Sequence, residues 1–148
     1  MGFYELTLRR QSCRNFDADR PVEHEKLVRC IEAARNAASG CNSQPWSFVV
    51  VENQEIVKQI AKAGQQMGIN QFLDDARAFI IVLEQHAVLM KKIRCMLDSQ
   101  YFAANDIGGA IAHICLMATE QGLGSCQIGM FDREMISGLL DIPLGQRF

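Results

Sequence analysis

Arg9-Arg10-Gln11-Ser12-Cys13-Arg14 gathers three guanidinium groups around one hydroxyl within six residues. A guanidinium binds phosphate through two parallel hydrogen bonds, and a hydroxyl adds a further contact. The set suits an anion, although most short basic runs are simply solvated surface. A second stretch, Ser39-Gly40-Cys41-Asn42-Ser43-Gln44-Pro45-Trp46, brackets three donor-and-acceptor residues between a permissive glycine and a proline. Pro45 fixes its own φ and pushes Gln44 toward an extended conformation. Such a loop can hold a planar polar ligand; the plainer alternative is a self-capping turn between a helix and a strand. In a third stretch, Gly122-Leu123-Gly124-Ser125-Cys126-Gln127-Ile128-Gly129, glycines punctuate an expected short strand where a flat ligand could approach the backbone.

These stretches need elements to position them. Phe3–Leu8 reads as a short helix leading into the arginines. Residues 23–38 form an amphipathic helix with Leu27, Ile31, Ala34 and Ala38 at helical spacing, ending at Ser39-Gly40. Residues 47–52 and 78–83 are β-branched, apolar runs that predict strands packed on both faces. A helix is expected over 54–67, with the polar bridge Asn70–Asp75 after it. Asn70 fits there as a helix cap. A long helix is expected over 99–121. Its Ala104, Gly108 and Ala112 lie four apart on one face, where each interior glycine costs about 1 kcal/mol against alanine. Close approach of another backbone would offset that cost, either within the subunit or across a symmetric dimer. Asp132 should cap a last helix carrying Met135, Ile136, Leu139 and Leu140. On that helical pattern Asp106 is expected to be paired or capping and His113 to be a satisfied core histidine.

The 148 residues suit one domain, and the 49% hydrophobic share suits one core. A formal charge of −2 gives no global attraction for nucleic acid or an anionic membrane. No apolar run reaches the roughly 18 residues of a membrane span, and residues 1–5 lead into a helix without the pattern of a secretory leader. The six cysteines have no CxxC spacing and no clustered histidines. We therefore expect no metal site and no disulfide scaffold, but reduced, mostly buried thiols in a cytoplasmic protein. Cys126 has no histidine or lysine obviously placed to activate it as a nucleophile.

Asn42-Ser43-Gln44-Pro45-Trp46 resembles the signature loop of the nitroreductase family, and Gly122–Gly129 resembles its GLG-[ST]-C-x-IG segment. The arginine cluster resembles its N-terminal motif, and the resemblance spans nearly the whole chain. It implies an α+β fold: an α/β sandwich with a central mixed or antiparallel sheet flanked by helices, dimeric through the long helix, over a single domain 1–148. It implies FMN as cofactor and NAD(P)H as co-substrate. Arg10, Ser12 and Arg14 would bind the phosphate and ribityl chain, with Gln11 beside the pyrimidine edge of the flavin. Main-chain groups of Ile128 and Gly129 would lie near the reactive N5. Gln127 stands where relatives often carry an aromatic. Asn70 is the candidate from the polar bridge, with Gln71 as the alternative. Ser39, Gly40 and Asn42 would come from the other subunit of a homodimer with flavin sites at its interface. The family's 84–98 counterpart is a variable region, often a lid near the substrate, which His86 and Met90 could line.

The activity implied is reduction of the flavin by NAD(P)H, then of a small acceptor such as a nitroaromatic or quinone, with no catalytic acid or base in the protein. The alternative is a dimer that holds FMN with little turnover. The family pattern continues past Phe148 with a strand and an arm crossing to the partner. Its absence would leave a sheet edge bare and the phosphate site short of charge.

Overall fold

Two strands, β1 (Trp46–Val51) and β2 (Phe79–Glu84), pair antiparallel in the register Trp46↔Glu84 through Val51↔Phe79. The computed structural model describes residues 1–94, 102–143 and 145–148. The expected helix start at Ser99 and the far part of the 84–98 stretch lie outside the described residues. Successive side chains of a strand point to opposite faces, and both faces are used. Phe48, Ile80 and Val82 pack against a cluster that includes Cys30, Ala34, Trp46, Ala110 and Ile114. Val49, Phe79 and Ile81 pack against Val57, Ile60, Ala63 and Ile136 on the other side. The first layer is α2 (His24–Arg35) against α5 (Ala103–Glu120). The second is α3 (Gln54–Gly64) against α6 (Arg133–Leu139). The result is the expected α+β sandwich, with helices on both sides of a small sheet.

Local chemistry sets the element ends. Asn53 Oδ1 accepts from the Glu55 and Ile56 amides, 3.0 and 3.3 Å, and starts α3. Asp132 Oδ1 accepts from the Met135 amide at 2.9 Å and starts α6 as expected. Helix α2 stops at Arg35, three residues short of the expectation. Asn36 folds its amide back onto the Glu32 carbonyl at 3.1 Å, competing with the helical ladder. Gly40 is therefore not a helix cap; it opens a short 3₁₀ turn, Gly40–Asn42. Helix α3 also ends early, at Gly64, where a Cβ would lie 2.6 Å from Leu73 Cδ1.

Residues 122–129 do not form the expected strand. Among the described residues their single pairing is a parallel bridge from Ser125 to Ser12, closed by the Cys13 amide on the Ser125 carbonyl at 2.9 Å. Among the described residues, the outer edge of β2 carries one antiparallel bridge, Glu84 to Arg147, with Glu84 N–H donating to Arg147 O at 2.9 Å. Helix α1 (Phe3–Arg9) lies on α5, and α4 (Lys91–Arg94) is a single turn. No helix among the described residues is long and apolar enough to cross a membrane.

On α5, Ala103, Ala110, Ile114, Cys115 and Ala118 are buried, whereas Ala104, Gly108 and Ala112 are exposed. A Cβ on Gly108 or Gly109 would meet nothing within 4 Å. Packing among the described residues does not account for these glycines.

Candidate functional site

Helix α1 delivers the arginine cluster to the glycine-punctuated segment. Its last turn closes with the Arg10 amide on Leu6 O at 3.0 Å, and the chain then extends to the Ser12–Ser125 bridge. Close approach requires Gly124: a Cβ there would sit 2.7 Å from Cys13 Sγ and 2.9 Å from Cys13 Cβ. Arg10, Gln11, Ser12 and Arg14 are all exposed. Among the described residues neither Arg10 nor Arg14 makes an ion pair or side-chain hydrogen bond, whereas Arg147 pairs with Glu84. Arg9 is turned to Met1 Sδ instead.

The loop after α2 is strained. Cys41, Asn42 and Gln44 have φ of 53°, 54° and 46°, uncommon for residues with a side chain. Gln44 is therefore not extended as its place before Pro45 predicts. Its amide donates to Ser39 Oγ at 3.0 Å, its carbonyl accepts from the Trp46 amide at 2.8 Å, and its Nε2 donates to Asn42 Oδ1 at 3.3 Å. Those bonds hold the tight reversal. The Gly40 N–H donates to Asp106 Oδ2 of α5 at 3.0 Å, so that N–H is already engaged and Asp106 is paired, as expected. Ser43 Oγ is buried with no hydrogen-bond partner among the described residues, an orphan in a loop otherwise knit together.

Asn70 is left-handed, with φ 55°, and its Nδ2 donates to Gly64 O at 3.0 Å. Its side chain makes no capping bond to the following turn and instead satisfies the last carbonyl of α3. Gln71 is exposed, its Nε2 resting on Ile69 O at 3.4 Å. A Cβ on Gly64 would meet Ile128 Cγ2 at 3.8 Å, so Gly64 joins Asn70 to Ile128. Gln127 reaches back to α5, where its Nε2 donates to Cys115 Sγ at 3.5 Å. Gly129 is exposed, with open space where a Cβ would project. His86 and Met90 are exposed.

The structure therefore joins the eleven candidates into three groups. Arg10, Gln11, Ser12 and Arg14 share the Ser12–Ser125 bridge with the segment of Gln127, Ile128 and Gly129. Asn70 reaches that segment through Gly64. Ser39, Gly40 and Asn42 hang from α5 at Asp106, and no hydrogen bond among the described residues ties them to the other two groups. A cavity of about 340 Å³ lies between Cys13, Asn15, Phe16 and Asp17 on one side and residues 75–80 and 122–126 on the others, and none of the eleven lines it. The linking roles of Gly64 and the Ser12–Ser125 pair escape sequence reasoning because each depends on residues distant in the chain.

Titration separates one inert thiol, Cys30, from two surface pairs. Burial pushes the Cys30 thiol up to about 11, helped by neighbouring Cys115, so it stays protonated. The described cysteines are free; Cys30 and Cys115 are buried, Cys13 and Cys126 half-buried, and Cys41 exposed, a less buried set than expected. Cys126 Sγ faces the Gln127 carbonyl rather than a base. Lys62 holds Asp74 below the usual carboxylate range, and Lys26 does the same for Glu23. Among the described residues no group of three or more His, Cys, Asp or Glu is arranged for a metal ion.

Comparison with known proteins matches residues 7–148 to the family model described as the nitroreductase family. An oxygen-insensitive NADPH nitroreductase of Helicobacter acinonychis is 26% identical over 165 aligned positions, covering 92% of this chain and 78% of that protein. A solved nitroreductase family protein from Clostridium difficile 630 superposes with a TM-score of 0.80 at 30% identity, over 99% of this chain and 79% of that one. An FMN-dependent nitroreductase from Clostridium difficile R20291 gives 0.76 at 25% identity, over 98% and 82%.

Proposed function

The chain belongs to the nitroreductase family, and from that premise we propose that it is an FMN-dependent oxidoreductase drawing electrons from NAD(P)H. The observation that carries this reading is the pair of unengaged guanidinium groups, Arg10 and Arg14, flanking Ser12 and joined by one bridge to a glycine-lined backbone segment. The residues fit the cofactor. Two cations and a hydroxyl match a phosphate and ribityl chain. Gly129, with open space in place of a side chain, lets a flat ring approach the main chain. Asn70 keeps its Oδ1 and a second N–H beyond the one given to Gly64. The Asn42 carboxamide likewise retains its donors, because its bond to Gln44 uses the oxygen.

When bound, FMN would supply the redox chemistry, linking oxidation of NAD(P)H to reduction of a small acceptor such as a nitroaromatic or quinone. The chain's own residues bind and orient. Arg10, Ser12 and Arg14 hold the anionic end, Gln11 and Asn70 direct polar edges, and Ile128 and Gly129 set the plane on which a ring rests. The protein contributes no acid or base of its own.

The reading extends to a homodimer formed by one domain per chain. Arg10, Gln11, Ser12, Arg14, Asn42, Gln127 and Gly129 are exposed while Ser39, Gly40, Asn70 and Ile128 are half-buried, the Ser39–Asn42 group is separate from the rest, and Ala104, Gly108 and Ala112 stand exposed on α5. A second copy packed on that face would enclose the flavin, taking Ser39, Gly40 and Asn42 from one subunit and Arg10, Ser12 and Arg14 from the other. The free thiols fit a reducing, cytoplasmic setting.

The test compares Arg14→Ala with Arg35→Ala, an exposed arginine on α2. Losing a charge-assisted phosphate contact should weaken FMN binding by about 1.5–3 kcal/mol, roughly tenfold or more, and Arg35→Ala should leave it within twofold. Equal dissociation constants for the two variants would remove the phosphate-site assignment.

A further inference from the structure

We propose that Asp106 is a positioning residue for the flavin-facing loop: its carboxylate fixes Gly40 against the start of α5 and so sets where Asn42 is presented. The proposal rests on the flavin reading above. Three non-glycine residues of the loop, Cys41, Asn42 and Gln44, lie in the left-handed region, a penalty that surrounding contacts must offset. The loop's own bonds give it a shape. The Asn42 amide donates to Ser39 O and the Ser43 amide to Gly40 O, both at 3.0 Å, and Gln44 closes onto Ser39 Oγ. None of these ties the shape to the body of the protein.

Two hydrogen bonds make that tie among the described residues. At the strand end, the Gln85 amide donates to Pro45 O at 2.9 Å. At the helix end, the Gly40 amide donates to Asp106 Oδ2 at 3.0 Å in a half-buried setting. The second is the stronger kind, because its acceptor is ionised, and it lies two residues from Asn42. The fit around it is close: a Cβ on Gly40 would stand 3.4 Å from Phe102 Cβ. Asp106 is itself held in the first turn of α5, its amide donating to Phe102 O at 3.0 Å. The loop is thereby geared to the helix whose Ala104–Gly108–Ala112 face is exposed.

A first-turn acid also favours the helix dipole, and the conservative variant separates the two roles. Asp106→Asn removes the charge but keeps an oxygen that accepts from Gly40; Asp106→Ala removes both. The measurements are FMN affinity by fluorescence quenching, hydrogen exchange at the Gly40 amide without FMN, and thermal melting. A positioning role predicts that Asp106→Ala weakens FMN binding about tenfold and speeds Gly40 exchange about tenfold, with Asp106→Asn within threefold of wild type in both. The proposal is overturned if Asp106→Ala leaves both within twofold. It is equally overturned if Asn and Ala variants lose melting temperature alike while Gly40 exchange is unchanged. Should Asp106→Ala fail to fold, Asp106→Asn decides, since a tenfold loss in that variant contradicts retention of the acceptor. Wild-type protein that takes up no FMN would sink the flavin reading and this role with it, whereas Gly40 exchange still reports whether the carboxylate holds the loop.

Discussion

Gly108→Ala separates a subunit that stands alone from one that packs through α5. A glycine inside a helix costs about 1 kcal/mol against alanine. Apart from its own stretch of helix, no atom of the described residues lies within 4 Å of the place a Cβ would take at Gly108. An isolated subunit should therefore gain about 1 kcal/mol from the substitution, a rise of about 2–4 °C in melting temperature at this size. With a second copy across Ala104, Gly108 and Ala112, the new methyl group enters the closest backbone contact. Overpacking costs about 1–3 kcal/mol per site, and a two-fold interface contains the site twice, so the dimer should lose about 2–6 kcal/mol. Sedimentation over a concentration series, with melting curves at each concentration, reads both terms. The account predicts association weakened by more than tenfold and a melting temperature that falls on dilution. Gly109→Ala, also open within the chain but a different face of the helix, should gain stability and leave association unchanged. A Gly108→Ala protein that melts higher and associates like wild type would refute the dimer reasoning.

Two further outcomes follow from the geometry. Gly124→Ala drives a methyl group to 2.7 Å from Cys13 Sγ and 2.9 Å from its Cβ; it should destabilise by about 1–3 kcal/mol, and Cys13→Gly in the same chain should recover at least half of that by chemical denaturation. His24 Nδ1 lies 2.7 Å from Glu52 Oε2, and that hydrogen bond raises the histidine above its ordinary value. The contribution to stability is full below the unfolded value near 6.5 and fades as pH rises through the raised folded value; an NMR titration of His24 in Glu52→Gln should show it falling back, and an unchanged titration would contradict the pairing.

Elements with strong local signals were legible in the residues. The β-branched run after Pro45 became β1, the Asp132 cap started α6, and of the residues at helical spacing Leu27 and Ala34 lie on the buried face of α2, whereas Ile31 is half-buried and Ala38 is exposed beyond the helix end. Ends set by distant partners were not. Gly64 ends α3 because Asn70 takes its carbonyl and Leu73 fills the space where a side chain would go, and no local rule reports either. The left-handed Gln44 defies the preference of a residue before proline because Ser39 and Trp46 hold its amide and carbonyl. The 122–129 segment has strand-like residues but, among the described residues, only Ser12 as a ladder partner, so one bridge forms. At the site, the residue types were readable, whereas their grouping was not. That Asn70 meets Ile128 through Gly64, and that Asp106 engages the Gly40 amide, are facts of tertiary packing.

The most direct test of the central claim is a visible absorption spectrum of the purified protein after mixing with FMN and desalting, repeated anaerobically with NADPH or NADH. The account predicts a retained flavin spectrum that bleaches when the nicotinamide is added. A retained spectrum that stays oxidised with either nucleotide would contradict the oxidoreductase and leave a flavin-holding protein. No retained flavin at all would contradict the assignment of Arg10, Ser12 and Arg14 as a phosphate site.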